Sequence, residues 1–165
     1  MFVPRNVRQK DIDQKSYHND VGGAELNVYW EQAVKYDAEN VLKKIADKYN
    51  VERVVLQGET YGEKLQSNPL KLDYRDFAAF NLIFDGTRLG SLQAKEILAE
   101  YGVPFVPIID KNYIMPDNFD EIKASADGNS MINNKCLREG FVYRSLDGQL
   151  STKNVSNKWL LKKKD

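Results

Sequence analysis

The sequence predicts an α+β domain in which antiparallel hairpins and helices occupy separate stretches of the chain. Two Asp-Gly pairs, at residues 85–86 and 147–148, each separate two short runs of strand-forming residues, which is the pattern of a two-residue hairpin turn. Helical periodicity is strongest before the first hairpin, and no regular alternation of strand and helix follows it. We therefore expect antiparallel sheets flanked by two longer helices.

The first quarter of the chain is predicted to form an edge strand, a loop and one long helix. Pro4 restricts the run over residues 1–8 to an edge strand, and the polar, glycine-containing stretch over residues 11–23 predicts a loop. Asn27 is the expected N-cap of a helix that ends near Tyr49. The expected inward-facing residues recur at helical spacing: Trp30, Ala33, Val34, Val41, Leu42, Ile45, Ala46 and Tyr49.

Strands are expected at residues 53–58 and 77–84, with a turn-rich stretch over residues 61–69 between them. Residues 85–86 turn the second strand into a short third one over residues 87–89.

The second half is predicted to contain two helices, a short strand and a hairpin. Ser91 is the expected cap of a helix that ends at Gly102, with Leu92, Ile97 and Leu98 facing inward. Residues 104–110 predict a strand and residues 117–126 a helix, and the second hairpin joins residues 140–145 to 150–156.

Composition limits the class of protein. The chain has 165 residues, the size of one domain, with 42% hydrophobic and 29% charged residues, as is typical of globular proteins. Twenty-four basic and 24 acidic residues balance, so no overall field attracts nucleic acid and any such binding must be local. One cysteine and one histidine exclude an internal disulfide framework and argue against a Cys/His zinc site. Without an apolar span or signal sequence, a cytoplasmic protein that makes no membrane contact is expected.

Five short segments are unusual when they are taken together. They are RN at residues 5–6, NVYW at 27–30, QGETYG at 57–62, FAAFNLI at 77–83, and EGFVYRS at 139–145 followed by STKNVSNK at 151–158. In this order and spacing they resemble the nucleotidyltransferase domain of ATP-dependent RNA ligases, from just after the nucleophilic lysine motif to the last lysine motif. The resemblance covers nearly the whole chain and implies the adenylylation-domain fold without its first strands and helix.

The resemblance implies that two residues bind adenosine. Glu59 matches the glutamate that accepts both ribose hydroxyls in the family, and Phe80 matches the aromatic residue that stacks on adenine. The alternatives are a strand-end carboxylate that faces water and a phenylalanine that packs in the core. Asn81 stands where the family often has aspartate.

The same resemblance assigns the metal and phosphate contacts. Glu139 matches the ligand of Mg²⁺ (or Mn²⁺), an ion that keeps most of its waters and needs few carboxylates. Lys153 matches a lysine that acts on the α-phosphate of ATP, with Lys158 and Lys162 as further candidates. Arg5 matches an arginine that contacts phosphate or the RNA end.

The family's nucleophilic Lys-x-Asp-Gly motif does not occur in the sequence, so residues 1–165 are expected to form a partial nucleotidyltransferase domain without an appended domain. The implied activity is the joining of RNA 3′-hydroxyl and 5′-phosphate ends with ATP and Mg²⁺. The chain can be a piece of a longer ligase. It can also work with a partner segment that carries the lysine, or perform only the last step. The remaining alternative is a non-catalytic module that binds AMP or RNA ends.

Overall fold

The computed structural model describes residues 27–65 and 68–162, so the predicted strand over residues 1–8 and loop over residues 11–23 lie outside the described part of the chain. Two helices come first: α1 (Val28–Lys35) and α2 (Ala38–Tyr49). The next elements are β1 (Val54–Gly62), β2 (Arg75–Phe84), β3 (Thr87–Arg88) and α3 (Ser91–Ala99). The last are α4 (Phe119–Ser125), β4 (Gly140–Arg144), β5 (Ser151–Val155) and α5 (Asn157–Lys162).

The strands within residues 27–65 and 68–162 form one three-stranded sheet and one two-stranded sheet, which confirms the α+β prediction. In the first sheet the order is β1-β2-β3, and β2 pairs antiparallel with β3 across the predicted turn at residues 85–86. The second sheet is the antiparallel hairpin of β4 and β5, joined across residues 147–148. Both predicted hairpins are therefore present.

Two compact units divide these elements. The first contains the described residues up to Thr60 together with Asp76–Phe105, and the second contains Tyr61–Arg75 and the described residues from Val106 onward. None of the helices among residues 27–65 and 68–162 is both long and apolar enough to cross a bilayer.

The single long helix predicted for residues 28–49 is wrong, because the chain breaks between α1 and α2. Asn27 caps α1 as expected, its Oδ1 accepting from Tyr29 N at 2.9 Å, but Asp37 adopts a left-handed φ of 48° and ends the helical path. The break changes the helical phase, so Trp30 and Val34 are 41% and 55% exposed rather than inward-facing.

The strand predicted over residues 104–110 is also absent. Phe105 forms a single parallel bridge to Ala79, and Ala79 N donates to Pro104 O at 2.8 Å. Pro104 and Pro107 lack N–H groups, so a continuous ladder cannot form here.

The boundaries of α3 differ slightly from the prediction. Gly90, not Ser91, is the N-cap. The helix ends at Ala99, and Gly102 adopts φ 70° just beyond it, where Val103 N donates to Leu98 O at 3.0 Å. This closing bond is the Schellman type that favours glycine in the left-handed position.

One apolar core organises the first unit. It joins α2 and α3 to one face of β1 and β2, and its buried members are Val41, Ile45, Val54, Leu56, Phe77, Ala79, Leu82, Ala94, Ile97, Leu98 and Val103. Gly58 allows β2 to lie close to β1, because a Cβ there would overlap the Phe77 ring and come within 2.6 Å of Ala78 O. The residues on the opposite face of these two strands do not belong to this core.

Candidate functional site

The face of β1 and β2 that points away from the core carries four polar or aromatic residues in one area. Leu56 lies in the core, so strand alternation places Gln57 and Glu59 on the opposite face. Ala79 also lies in the core, so Phe80 belongs to that same opposite face. We call Gln57, Glu59, Phe80 and Asn81 the outer face.

Asn81 joins the outer face because β2 changes its alternation. The core-facing residues of β2 are Phe77 and Ala79 and then Leu82, a spacing of three where regular alternation requires two or four. This shift indicates a β-bulge at Phe80 and Asn81, which points two consecutive side chains to one side.

A direct contact fixes this arrangement. The amide Nδ2 of Asn81 donates to Gln57 Oε1 at 2.7 Å, which requires both side chains to lie on the same side of the sheet. Asn81 is buried and Gln57 is half-buried, whereas the Glu59 side chain is exposed. The outer face thus presents a ring, an accessible carboxylate and a cross-strand amide pair.

The second unit carries Glu139 and Lys153, which form an ion pair. Lys153 lies opposite Val142 in the register of β4 and β5, and both side chains are exposed. Strand alternation would place Glu139 on the other face, but Gly140 has φ 154° and interrupts it. The Glu139 carboxylate consequently meets the Lys153 ammonium on the exposed face of the hairpin.

The opposite face of the hairpin is fixed to α4. The hydroxyl groups of Ser125 and Tyr143 are hydrogen-bonded at 2.6 Å, and Asn154 Nδ2 donates to Ile122 O. With that face held, the side of the hairpin that bears Glu139 and Lys153 is the one left open.

Arg138, the residue before Glu139, is anchored to the end of α4. Its guanidinium donates to three backbone carbonyls at the end of α4: Ser125 O at 2.8 Å, Ala126 O at 2.9 Å and Asp127 O at 2.5 Å. It also stacks on the Phe141 ring, 3.8 Å from the centroid. These contacts leave Arg138 a structural residue rather than a phosphate-binding one.

Asp127 anchors the start of α5 through its carboxylate. Its carboxylate accepts from Ser156 Oγ at 2.7 Å and from Lys158 N at 3.3 Å, and the Ser156 bond holds the pKa of Asp127 below its ordinary value. Lys158 Nζ lies 3.8 Å from the same carboxylate. Lys158 therefore has a local partner, and Lys162 lies exposed at the end of α5.

The residues present fit a hard divalent cation that keeps most of its waters. Glu139 offers a half-exposed carboxylate, the oxygen donor that Mg²⁺ and Mn²⁺ prefer. Among residues 27–65 and 68–162 there is no cluster of three or more acidic, histidine or cysteine side chains. A single carboxylate of this kind is sufficient for Mg²⁺, which binds through one or two carboxylates and keeps several of its waters.

The structure therefore brings together two pairs of the predicted residues. Glu59 and Phe80 share the outer face, and Glu139 and Lys153 are in contact. Arg5 lies outside the described residues. Sequence reasoning assigned no role to Gln57 or Arg138, although alternation along β1 already places Gln57 on the same side as Glu59.

Comparison with known proteins places the chain in a family. A family model described as RNA ligase matches residues 8–162. A search of curated protein sequences found no significant match.

Several similar solved structures are of the RNA ligase of Naegleria gruberi. A lysine-to-methionine variant of that enzyme, with AMP and Mn, is 30% identical with a TM-score of 0.76, covering 88% of this chain and 43% of that chain. A lysine-to-alanine variant with ATP and Mn is 30% identical with a TM-score of 0.74, covering 86% and 42%. The same ligase with PPi is 30% identical with a TM-score of 0.72, covering 88% and 43%.

This chain therefore spans less than half the length of the ligase that it resembles, and its mixed helix and antiparallel-sheet fold matches that part of the ligase. The family model covers almost the whole sequence. The chain belongs to the RNA ligase family.

Proposed function

We propose that this chain carries out RNA ligase chemistry, joining RNA 3′-hydroxyl and 5′-phosphate ends through an adenylylated intermediate with ATP and Mg²⁺. The observation that carries the proposal is the outer face, where a stacking ring and an accessible carboxylate lie together in a chain of the RNA ligase family. The similar ligase structures with AMP or ATP and Mn support nucleotide and divalent-metal use.

The outer face is the proposed adenosine site. Phe80 supplies a ring on which adenine stacks, a contact worth about 1–3 kcal/mol per base. The Glu59 carboxylate accepts hydrogen bonds from the two ribose hydroxyls, and charged acceptors make stronger bonds than neutral ones. Both side chains are held on strands rather than loops, which keeps the site rigid.

The hairpin pair is the proposed metal and phosphate site. Glu139 would hold a divalent cation, which when bound would supply positive charge to the substrate phosphates. Lys153, which pairs with Glu139 in this structure, would hold the phosphate that is attacked and balance the negative charge that grows on its oxygens. In the sealing step the RNA 3′-hydroxyl attacks the 5′-phosphorus, the phosphoanhydride bond to AMP breaks, and AMP leaves.

The test supplies the adenylylated strand, because the sequence contains no Lys-x-Asp-Gly motif. We expect the 165-residue chain with Mg²⁺ to join a 5′-adenylylated RNA to an RNA 3′-hydroxyl end. Glu139→Ala should abolish product formation, since the carboxylate holds the cation.

Glu39→Ala is the matched control, because Glu39 also forms an exposed ion pair, with Lys43 at 2.6 Å, but lies on α2. It should leave sealing unchanged. Sealing by Glu139→Ala at the wild-type rate would contradict the metal assignment.

The absence of the Lys-x-Asp-Gly motif from these 165 residues also favours a second candidate, a module that binds AMP or RNA ends without sealing them. Binding of AMP without any joining of adenylylated RNA would support it. Intact-mass measurement after incubation with ATP and metal separates a third case. A covalent AMP adduct would show that a lysine within the chain acts as nucleophile.

A further inference from the structure

Gln57 lies on the outer face, and the ligase resemblance gives it no role. It lies on β1 two positions before Glu59, about 6–7 Å along the same side of the strand. It is also joined across the sheet to Asn81, the residue that follows Phe80. Gln57 therefore lies near both residues that are proposed to hold adenosine, Glu59 and Phe80.

The contact with Asn81 determines which atoms of the Gln57 amide remain for a ligand. Oε1 accepts one N–H from Asn81 and keeps a second lone pair, because a carbonyl oxygen has two. Within residues 27–65 and 68–162, Nε2 makes no hydrogen bond, so both of its N–H donors remain. The half-buried amide therefore presents a donor beside an acceptor in a fixed orientation.

A donor beside an acceptor is the complement of an adenine edge. Adenine presents its 6-amino donor next to a ring-nitrogen acceptor, N1 or N7, and a glutamine amide can bind such a pair with two hydrogen bonds. Guanine presents the O6 acceptor in place of the amine, so Oε1 would face another acceptor. The amide of Gln57 therefore distinguishes the two purines.

We propose that Gln57, oriented by Asn81, is a specificity-determining residue that selects adenine over guanine in the nucleotide site. The inference rests on the proposed function, because it requires Phe80 and Glu59 to hold the nucleoside. The bulge at Phe80 and Asn81 is the device that makes it possible, since it points the stacking ring and the orienting amide to the same side.

The experiment measures dissociation constants of ATP and GTP with Mn²⁺ by calorimetry for the 165-residue chain and three variants. Gln57→Glu keeps an oxygen that accepts from Asn81 but removes the N–H donors. Gln57→Met removes both functions. Glu59→Ala is the control, because both nucleotides carry the same ribose and should weaken together.

We expect wild type to bind ATP about ten to a hundred times more tightly than GTP, the factor given by one bidentate base contact. Both Gln57 variants should bring the two affinities within about threefold. The 1-deaza and 7-deaza analogues of ATP, which lack N1 and N7, identify the adenine edge that Gln57 contacts. The analogue that lacks the contacted nitrogen should bind wild type more weakly than ATP does, whereas the Gln57 variants should bind it as tightly as ATP.

Two results overturn the inference in different ways. If ATP binds with Glu59 dependence but the ATP to GTP ratio is unchanged in both Gln57 variants, the Gln57 role is wrong and the proposed function stands. If wild type, folded by circular dichroism, binds neither nucleotide, the adenosine site itself is wrong. A preference for ATP over GTP that is lost in Gln57→Met but kept in Gln57→Glu would also overturn the inference. It would show that Gln57 serves only to accept the hydrogen bond from Asn81 and does not contact the base.

Discussion

The backbone of Gly140 determines where the Glu139 carboxylate lies. At φ 154° the residue adopts a conformation that side-chain-bearing residues rarely take, and a Cβ would overlap Asn154 O and Val155 Cα. In a regular strand Glu139 would share a side with Phe141, away from Lys153. Glycine at this position is therefore what allows the ion pair on the exposed side of the hairpin.

Gly140→Ala should consequently separate Glu139 from Lys153. We expect a loss of about 2–3 kcal/mol in the free energy of unfolding from backbone strain and overlap. Mn²⁺ binding, measured by calorimetry in the presence of AMP, should weaken at least tenfold.

Gly102→Ala is the control, because Gly102 also has a positive φ, 70°, but a Cβ there meets nothing within 4 Å. It should cost about 1 kcal/mol and leave Mn²⁺ binding as in wild type. Equal Mn²⁺ binding by the Gly140→Ala variant would show that this glycine does not position the carboxylate.

The break between α1 and α2 coincides with a long-range contact to β2. Lys35 Nζ lies 2.8 Å from Asp76 Oδ1 at the start of β2, and the Tyr36 hydroxyl donates to the same oxygen. Burial alone would raise the pKa of Asp76, but the bonds from Lys35 and Tyr36 lower it below its ordinary 3.8. The Asp76 bond also raises the pKa of Lys35.

Asp76→Asn should therefore remove a pH-dependent contribution to the free energy of unfolding. A carboxylate whose pKa is lowered on folding contributes above its unfolded pKa, and the contribution is lost as the pH falls through the folded value. We expect the variant to be about 1–2 kcal/mol less stable than wild type at pH 7. The difference should shrink as the pH falls below 3.8 and through the lowered pKa of Asp76, in urea unfolding followed from pH 7 to pH 3.

Asp47→Asn makes the same charge change at an exposed residue of α2. It should alter stability by less than about 0.5 kcal/mol at either pH. A loss in the Asp76→Asn variant that stayed the same from pH 7 to pH 3 would contradict the account of the ion pair.

Local sequence patterns predicted most helices and strands, but not the irregularities within them that involve residues distant in the sequence. Asn27 and the two Asp-Gly turns act within a few residues, so these features could be predicted. The break at Asp37 involves no glycine or proline. The two residues before it, Lys35 and Tyr36, contact Asp76, which is about 40 residues away. The bulge in β2 is equally invisible in the sequence, because it appears only when the core is known.

At the scale of the whole molecule, each of the two units carries one set of the proposed site residues. Sequence motifs identified Glu59, Phe80, Glu139 and Lys153 as single positions. The shared side of Glu59 and Phe80, and the contact of Glu139 with Lys153, follow only from strand facing and from the unusual backbone of Gly140. For the same reason, the role proposed for Gln57 depends on its hydrogen bond with Asn81, which the sequence alone does not reveal.

The net charge of the chain is zero, so the proposed RNA binding would depend on local groups rather than on a general attraction. The central claim is accordingly the outer face as an adenosine site. A crystal structure of the chain grown with AMP and Mn²⁺ tests it most directly. The account predicts adenine stacked on Phe80 with the ribose hydroxyls at Glu59. AMP bound away from both side chains, with the outer face open in the crystal, would contradict it.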